Sequence, residues 1–279
     1  MKYRFLRFPE GKCKAVTFSY DDGVRADIKL AGIINKYGIK CTFNYPNVEH
    51  LTKDEITENI LSKGHEIAVH GALHRAEGLI RPIDGIDDVL SCRKKLEEKF
   101  DMIIRGMAYP DSGIRNILPV TSYASIREYL KALDIVYART LGGDNDQFRL
   151  PEDWYAWMPT AKHTNPELMS YIDKFLNISM DVYSAERYPR LFYLWGHSYE
   201  FENDGNWDLL EDICIKLSGK DEIWYATNME IYNYVQAYNS LSFSANGRIV
   251  YNPTLYTIWF DADGVLYNIG PGETIRTDK

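Results

Sequence analysis

The sequence predicts an α/β fold of parallel strands alternating with helices, and three observations carry that expectation. Short apolar runs alternate with longer amphipathic segments along the chain, the order that right-handed crossovers between parallel strands produce. The run Ala15, Val16, Phe18 ends in Asp21 and Asp22, at the carboxyl end of a strand, where parallel α/β folds gather their chemistry. At 279 residues the chain is long enough for one α/β barrel, or one large domain with a small appendage.

The elements follow in order. After the first strand, Ile28 to Tyr37 reads as a helix with Ile28, Leu30, Ala31, Ile33 and Ile34 on its apolar face, stopped by Gly38. Cys41 to Tyr45 is a second strand, Lys53 to Lys63 a helix ended by Gly64, and Ile67 to Val69 a third strand leading into His70. Asp84 to Phe100 is a long helix whose Arg93-Lys94-Lys95 run needs only solvation. Later strands are expected at Met107 to Tyr109, Ile135 to Arg139, Ala156 to Met158 and Leu191 to Trp195. Helices are expected at Tyr123 to Leu133, Asn165 to Ile178, Trp207 to Leu217 and Asn228 to Tyr238.

The pattern changes after that last helix. From Leu241 to Thr277, β-branched and aromatic residues surround turn signals at Ala245-Asn246-Gly247-Arg248, Asp261-Ala262-Asp263-Gly264 and Gly270-Pro271-Gly272. This predicts a small antiparallel appendage. About forty residues bury little alone, so it should pack on the barrel or on a second subunit, and a homo-oligomer is one expected arrangement.

Composition narrows the function. A net charge of -8 with interspersed signs argues against a nucleic-acid or polyanion surface. A neutral or cationic substrate fits better, and the 21 tyrosines suit a groove that stacks sugar rings, although most should be packing residues. Cys13, Cys41, Cys92 and Cys214 show no paired spacing, the first residues lack the apolar core of a signal peptide, and nothing resembles a membrane span. A cytoplasmic protein with reduced thiols is expected.

Two stretches carry candidate chemistry: Thr17-Phe18-Ser19-Tyr20-Asp21-Asp22-Gly23, and Gly64-His65-Glu66-Ile67-Ala68-Val69-His70-Gly71-Ala72-Leu73-His74. One carboxylate can join two imidazoles around a divalent ion, while its neighbour stays free to take a proton from water. Three protein donors leave room for water at such an ion.

These stretches resemble the first two motifs of the polysaccharide deacetylases of carbohydrate esterase family 4, the NodB-homology domain. The resemblance implies a distorted (β/α) barrel of the seven-stranded type over residues 1–240, followed by the small β extension at 241–279. It assigns Asp21 as general base and Asp22, His70 and His74 as ligands of one divalent metal, with zinc first and cobalt, nickel, manganese or iron as alternatives. His65 is expected to be structural. The third motif departs from the family's Arg-x-Pro-Tyr-Gly: here it is Ala108-Tyr109-Pro110-Asp111-Ser112-Gly113. The arginine that orients the base is missing, and Arg105 or Arg115 is the expected substitute. The backbone near Asp111 is the expected oxyanion donor. Asp153-Trp154 resembles the fourth motif, an acid on the catalytic histidine and an indole walling the pocket. Leu191 to His197 resembles the fifth, with His197 as general acid. Tyr109, Asp111, Trp154 and Trp195 are thus candidates for the substrate pocket.

The implied activity is metal-dependent removal of acetyl groups from an N-acetylated saccharide that is imported or intracellular. The same machinery would serve an O-acetyl esterase of the xylan type or a non-sugar amidohydrolase, and the departure in the third motif raises a catalytically impaired carbohydrate-binding protein as a third reading.

Overall fold

The structure, a computed structural model, describes residues 3–46, 50–141, 144–180 and 187–277. In chain order the elements are β1 (Arg4–Arg7), β2 (Lys14–Asp21), α1 (Ala26–Lys36), β3 (Cys41–Tyr45), α2 (Lys53–Asn59), β4 (Glu66–Val69), α3 (Pro82–Phe100) and β5 (Gly106–Ala108). Then come α4 (Tyr123–Ala132), β6 (Tyr137–Arg139), β7 (Ala161–Lys162), α5 (Leu168–Leu176), β8 (Arg190–His197), α6 (Ser198–Asn203), α7 (Trp207–Leu217), β9 (Ile223–Tyr225) and α8 (Asn228–Asn239). The last strands are β10 (Ser242–Phe243), β11 (Ile249–Tyr251), β12 (Ile258–Ala262), β13 (Val265–Ile269) and β14 (Thr274–Arg276).

Seven parallel strands in the order β6-β5-β4-β3-β2-β8-β7 curl into a half-barrel with helices outside, as expected of a (β/α) barrel of the deacetylase type. β9 joins beside β3: residues 14–16 of β2 pair with β9 and residues 18–21 with β3, so two short strands share one edge of β2. Every residue of β2 is buried, so the twofold alternation of a strand sorts its side chains between two interiors, not between core and solvent. Val16, Phe18 and Tyr20 join the apolar core under the helices. Thr17, Ser19 and Asp21 face the barrel axis, where they meet Asn228, Asn44 and Arg139.

The other strands repeat this division. Phe43, Ile67, Met107, Ala138 and Leu194 join the outer core, whereas their neighbours Thr42, Glu66, Tyr137 and Tyr193 meet in a polar layer inside the barrel. There the Glu66 carboxylate accepts from Thr42 Oγ1 at 2.8 Å, Tyr137 Oη at 2.5 Å and the Met229 backbone N–H at 2.8 Å. Gly106 lines this layer because a Cβ there would stand 2.2 Å from Tyr137 Oη. The carboxylate faces the first turn of α8, where an anion is favoured. Burial nevertheless pushes its pKa up to about 7.

A second core joins the barrel to the C-terminal strands through Tyr137, Trp157, Tyr193, Tyr234, Phe260 and neighbours. The C-terminal strands form two antiparallel sheets, β10-β11-β14 and β1-β12-β13. Sequence patterning did not anticipate β1, the two-residue β7 or β9. Ala156 to Met158, expected as a strand, is instead the end of a 3-10 turn (Trp154–Ala156) followed by one isolated bridge from Trp157 to Arg139. Asp153 causes this turn locally, its Oδ1 accepting from the Tyr155 N–H at 2.9 Å.

Candidate active site

The site is built on the carboxyl ends of β2, β4 and β8. Asp21 and Asp22 are adjacent, yet their side chains diverge because the backbone turns sharply between them. Asp22 has φ 82° and Gly23 φ 66°, and such a left-handed conformation costs a non-glycine residue about 1–3 kcal/mol. Asp22 is held there by its own N–H donating to Asn44 O at 3.1 Å. A Cβ at position 23 would come 3.0 Å from the Tyr45 ring.

This turn aims Asp22 at two imidazoles. Its Oδ1 lies 3.4 Å from His70 Nε2 and 3.2 Å from His74 Nε2. His70 Nδ1 is 2.9 Å from Ala108 O; a carbonyl only accepts, so Nδ1 carries the hydrogen and Nε2 turns its lone pair toward the carboxylate. The one-atom donors of Asp22, His70 and His74 all lie within 4.8 Å of one another, the only such group among the described residues. Converging lone pairs need a positive charge between them, which a proton or a divalent ion can supply, and one carboxylate with two imidazoles suits a zinc-like ion. Burial opposes ionisation of Asp22, but the His70 and His74 contacts overcome it and hold its carboxyl far below the usual range. His70 is buried and the His74 side chain is 42% exposed, so the cluster opens to solvent on the His74 side.

Asp21 points into the barrel and is 1% exposed. Its Oδ1 accepts from Asn44 Nδ2 at 2.8 Å, and its Oδ2 accepts from Arg139 Nη2. Arg139, at the end of β6, is fully buried and lies over the Trp195 ring, 4.5 Å from its centroid. It is the cation on Asp21, in place of both expected substitutes: Arg105 pairs with Asp134 at the surface, and Arg115 is exposed on the loop after β5.

His197 closes the other side, with Nε2 3.8 Å from Asp22 Oδ2. Glu200, one turn into α6, stands 3.4 Å from His197 Nδ1 and also contacts Lys162 Nζ and, at 3.3 Å, His163 Nε2. Burial disfavours the charged form of His197, but Glu200, Asp21 and Asp22 outweigh it and raise its pKa. Burial likewise opposes ionisation of Glu200, and His197 and Lys162 reverse this and bring it down to about 2. The Tyr199 ring stacks on His197 with centroids 5.2 Å apart, and Trp195 meets it edge-on at 5.9 Å.

Asp153 is not brought to His197: its Oδ2 accepts from Tyr123 Oη at 2.7 Å and lies 3.7 Å from Arg127, and the carboxylate at His197 is Glu200. Trp154 packs on Trp157 and Tyr232 in the second core, away from the pocket wall expected of it. Tyr109 is fully buried with its hydroxyl donating to Tyr155 O at 2.9 Å, which leaves that ring in the core. Asp111 is exposed, with φ 50°, and near enough to His74 to help raise its pKa, after the larger effect of the Asp22 contact. His65 is buried beside β3, its Nδ1 accepting from the Cys41 N–H at 3.1 Å. Arg139, Asn44 and Glu200 escaped the sequence reading. The visible signals were a cation ending an apolar run at Ile135 to Arg139 and a Glu three residues after His197.

The family model for polysaccharide deacetylase matches residues 9–133, the stretch from β2 through α4. No curated protein matches the chain significantly. Among solved structures, one from Mycobacterium smegmatis described as a polysaccharide deacetylase shares 17% identity, with TM-score 0.57, over 86% of this chain and 96% of its own. The Xyl-CE4 domain of a multidomain xylanase from the hindgut metagenome of Trinervitermes trinervoides shares 13%, with TM-score 0.52, over 85% and 99%. The chitin deacetylase of Colletotrichum lindemuthianum shares 16%, with TM-score 0.51, over 81% and 89%. At these identities the likeness establishes the fold.

Proposed function

We propose that this protein is a divalent-metal-dependent deacetylase that hydrolyses the N-acetyl group of an acetylated saccharide. The observation that carries the reading is the convergence of Asp22, His70 and His74, with Asp21 on one flank and His197 on the other. Asp22, His70 and His74 hold the ion, which when bound supplies Lewis acidity toward the acetyl carbonyl and lowers the pKa of water. Asp21 takes the proton from the attacking water. Its Oδ2 faces the site, 4.0 Å from His197 Nε2. His197, kept basic by Glu200 and the two aspartates, delivers a proton from Nε2 to the departing amine nitrogen. Trp195 and Tyr199 border His197 and offer flat faces to a sugar ring.

A reducing compartment fits the four free cysteines, three of them buried. No helix among the described residues is long and apolar enough to cross a membrane. The test is acetate release by zinc-loaded and chelator-treated protein from a panel of N-acetyl and O-acetyl saccharides. Metal-dependent release confined to N-acetyl substrates supports the reading; release only from O-acetyl substrates replaces it with an esterase, and no release from any member overturns it.

A further inference from the structure

We propose that Arg139 is the positioning residue of Asp21, and that it performs from β6 a task that an arginine at position 108 could perform from β5. In function this rests on the deacetylase reading, which makes Asp21 the base. Its geometry stands independently.

Ala108 and Arg139 are direct partners in the parallel β5–β6 register. Partners in register turn their side chains to the same face, and adjacent strands lie about 4.8 Å apart. The Ala108 methyl and the Arg139 side chain therefore both face the barrel axis, at one level. An arginine side chain spans more than one strand spacing, so a guanidinium anchored at either position can reach the Asp21 carboxylate.

What Arg139 does there is fix a direction. The two carboxylate oxygens are held separately, Oδ1 by Asn44 Nδ2 and Oδ2 by Arg139 Nη2. Opposed donors remove the freedom of the carboxylate to rotate, and they leave Oδ2 on the His197 side. The guanidinium is itself fixed by the face of Trp195 and by Nη1 donating to Thr140 O at 3.4 Å. With Arg139 fully buried and Asp21 1% exposed, bulk water does not compete with this pairing while both partners are in place.

A merely structural ion pair would predict only that removing Arg139 loosens the barrel. Positioning predicts more: the direction of Asp21 should depend on a guanidinium and not on which strand carries it. The experiment compares wild type, Arg139→Met, Arg139→Ala and the double variant Ala108→Arg/Arg139→Ala, all zinc-loaded, by zinc content, kcat and KM for acetate release, and crystal structures. Arg139→Met should keep its zinc and its KM and lose kcat by about 10²-fold, the order expected when a reacting group is misplaced by an ångström. Methylguanidinium should restore kcat to Arg139→Ala in a saturable way, and the double variant should exceed Arg139→Ala at least tenfold. A wild-type rate in Arg139→Met overturns the proposal. So does a folded, zinc-loaded double variant no faster than Arg139→Ala. If wild type releases no acetate at all, the deacetylase reading has failed, and the crystal structures decide the positioning claim. The Asp21 carboxylate should be rotated away in Arg139→Met and restored in the double variant, and an unchanged carboxylate in both refutes it. Should Arg139→Met not fold, the double variant, which retains the charge, carries the same test.

Discussion

His197 is the direct register partner of Asp21 across β2 and β8. Parallel partners share a face, so the two groups proposed to move protons are delivered by neighbouring strands to one level, 4.0 Å apart between Nε2 and Oδ2. Asp22, one residue on and turned by its positive φ, stands beside the pair with the imidazoles of His70 and His74. This placement leads to three expectations, and a buried histidine outside it leads to a fourth.

Asp22→Ala and His70→Ala should each lose the metal and the activity together, because each leaves two donors where three converge. Zinc content by elemental analysis of dialysed protein is the measurement. Stoichiometric zinc in the His70 variant would show that the ion sits elsewhere.

Asp21→Asn should separate chemistry from metal binding. The amide keeps the shape of the side chain but cannot take a proton, so turnover should fall by roughly 10²–10⁴ while zinc is retained. Turnover near the wild-type level with zinc in place would remove Asp21 from the mechanism.

Glu200 and Asp153 should behave oppositely. Glu200→Gln should lower kcat by roughly tenfold, a fraction of the 10²–10⁴ that a positioned acid supplies, because His197 loses the carboxylate on Nδ1. Asp153→Ala should leave turnover within about twofold and cost about 1–2 kcal/mol of stability through a lost cap and a lost Tyr123 hydrogen bond. Kinetics and chemical denaturation of both variants settle which acid serves the site, and the reverse pattern would restore Asp153 to it.

Acid sensitivity should come in part from His65. Burial, then the nearby charge of Lys40, lowers its pKa from 6.5 to about 4. Below pH 6.5 the unfolded chain takes up a proton that the folded ring resists, so stability falls as pH drops from 6.5 toward 4, by up to about 3 kcal/mol. His163, lowered to about 4 chiefly by burial, should add a similar slope. Denaturation midpoints of wild type and His65→Gln across this range are the check. Parallel curves would show that His65 contributes nothing.

The parts of the site written in contiguous sequence were legible. Asp21 and Asp22 end a strand, His70 and His74 follow another within five residues, and His197 ends a third; alternation along the strand fixes the facing of Asp21 and His197. Part of what failed depended on pairing between distant strands. The cation on Asp21 could not be found by looking near Ala108 in sequence, because its replacement lies at Ala108's register partner, Arg139. Glu200 was hidden by the weak resemblance at Asp153, which carries the right chemistry in the wrong place. The missed strands β7 and β9 have two and three residues, too few for a period-two pattern, and their backbones are specified by the neighbours they dock on. β1 was missed for a related reason: its partner, β12, lies near the far end of the sequence.

That last pairing bears on how the protein is made. Among the described strands β1 pairs only with β12, and Tyr3 N donates to Asp263 Oδ1 across a separation of 260 residues. At a synthesis rate of about 5–20 residues per second, β1 leaves the ribosome on the order of ten seconds or more before the strand that completes it. Until then its edge is open to any extended segment that passes. A nascent chain stalled before β12 is therefore the form most exposed to wrong pairing, and this small sheet can close only once β12 has been made.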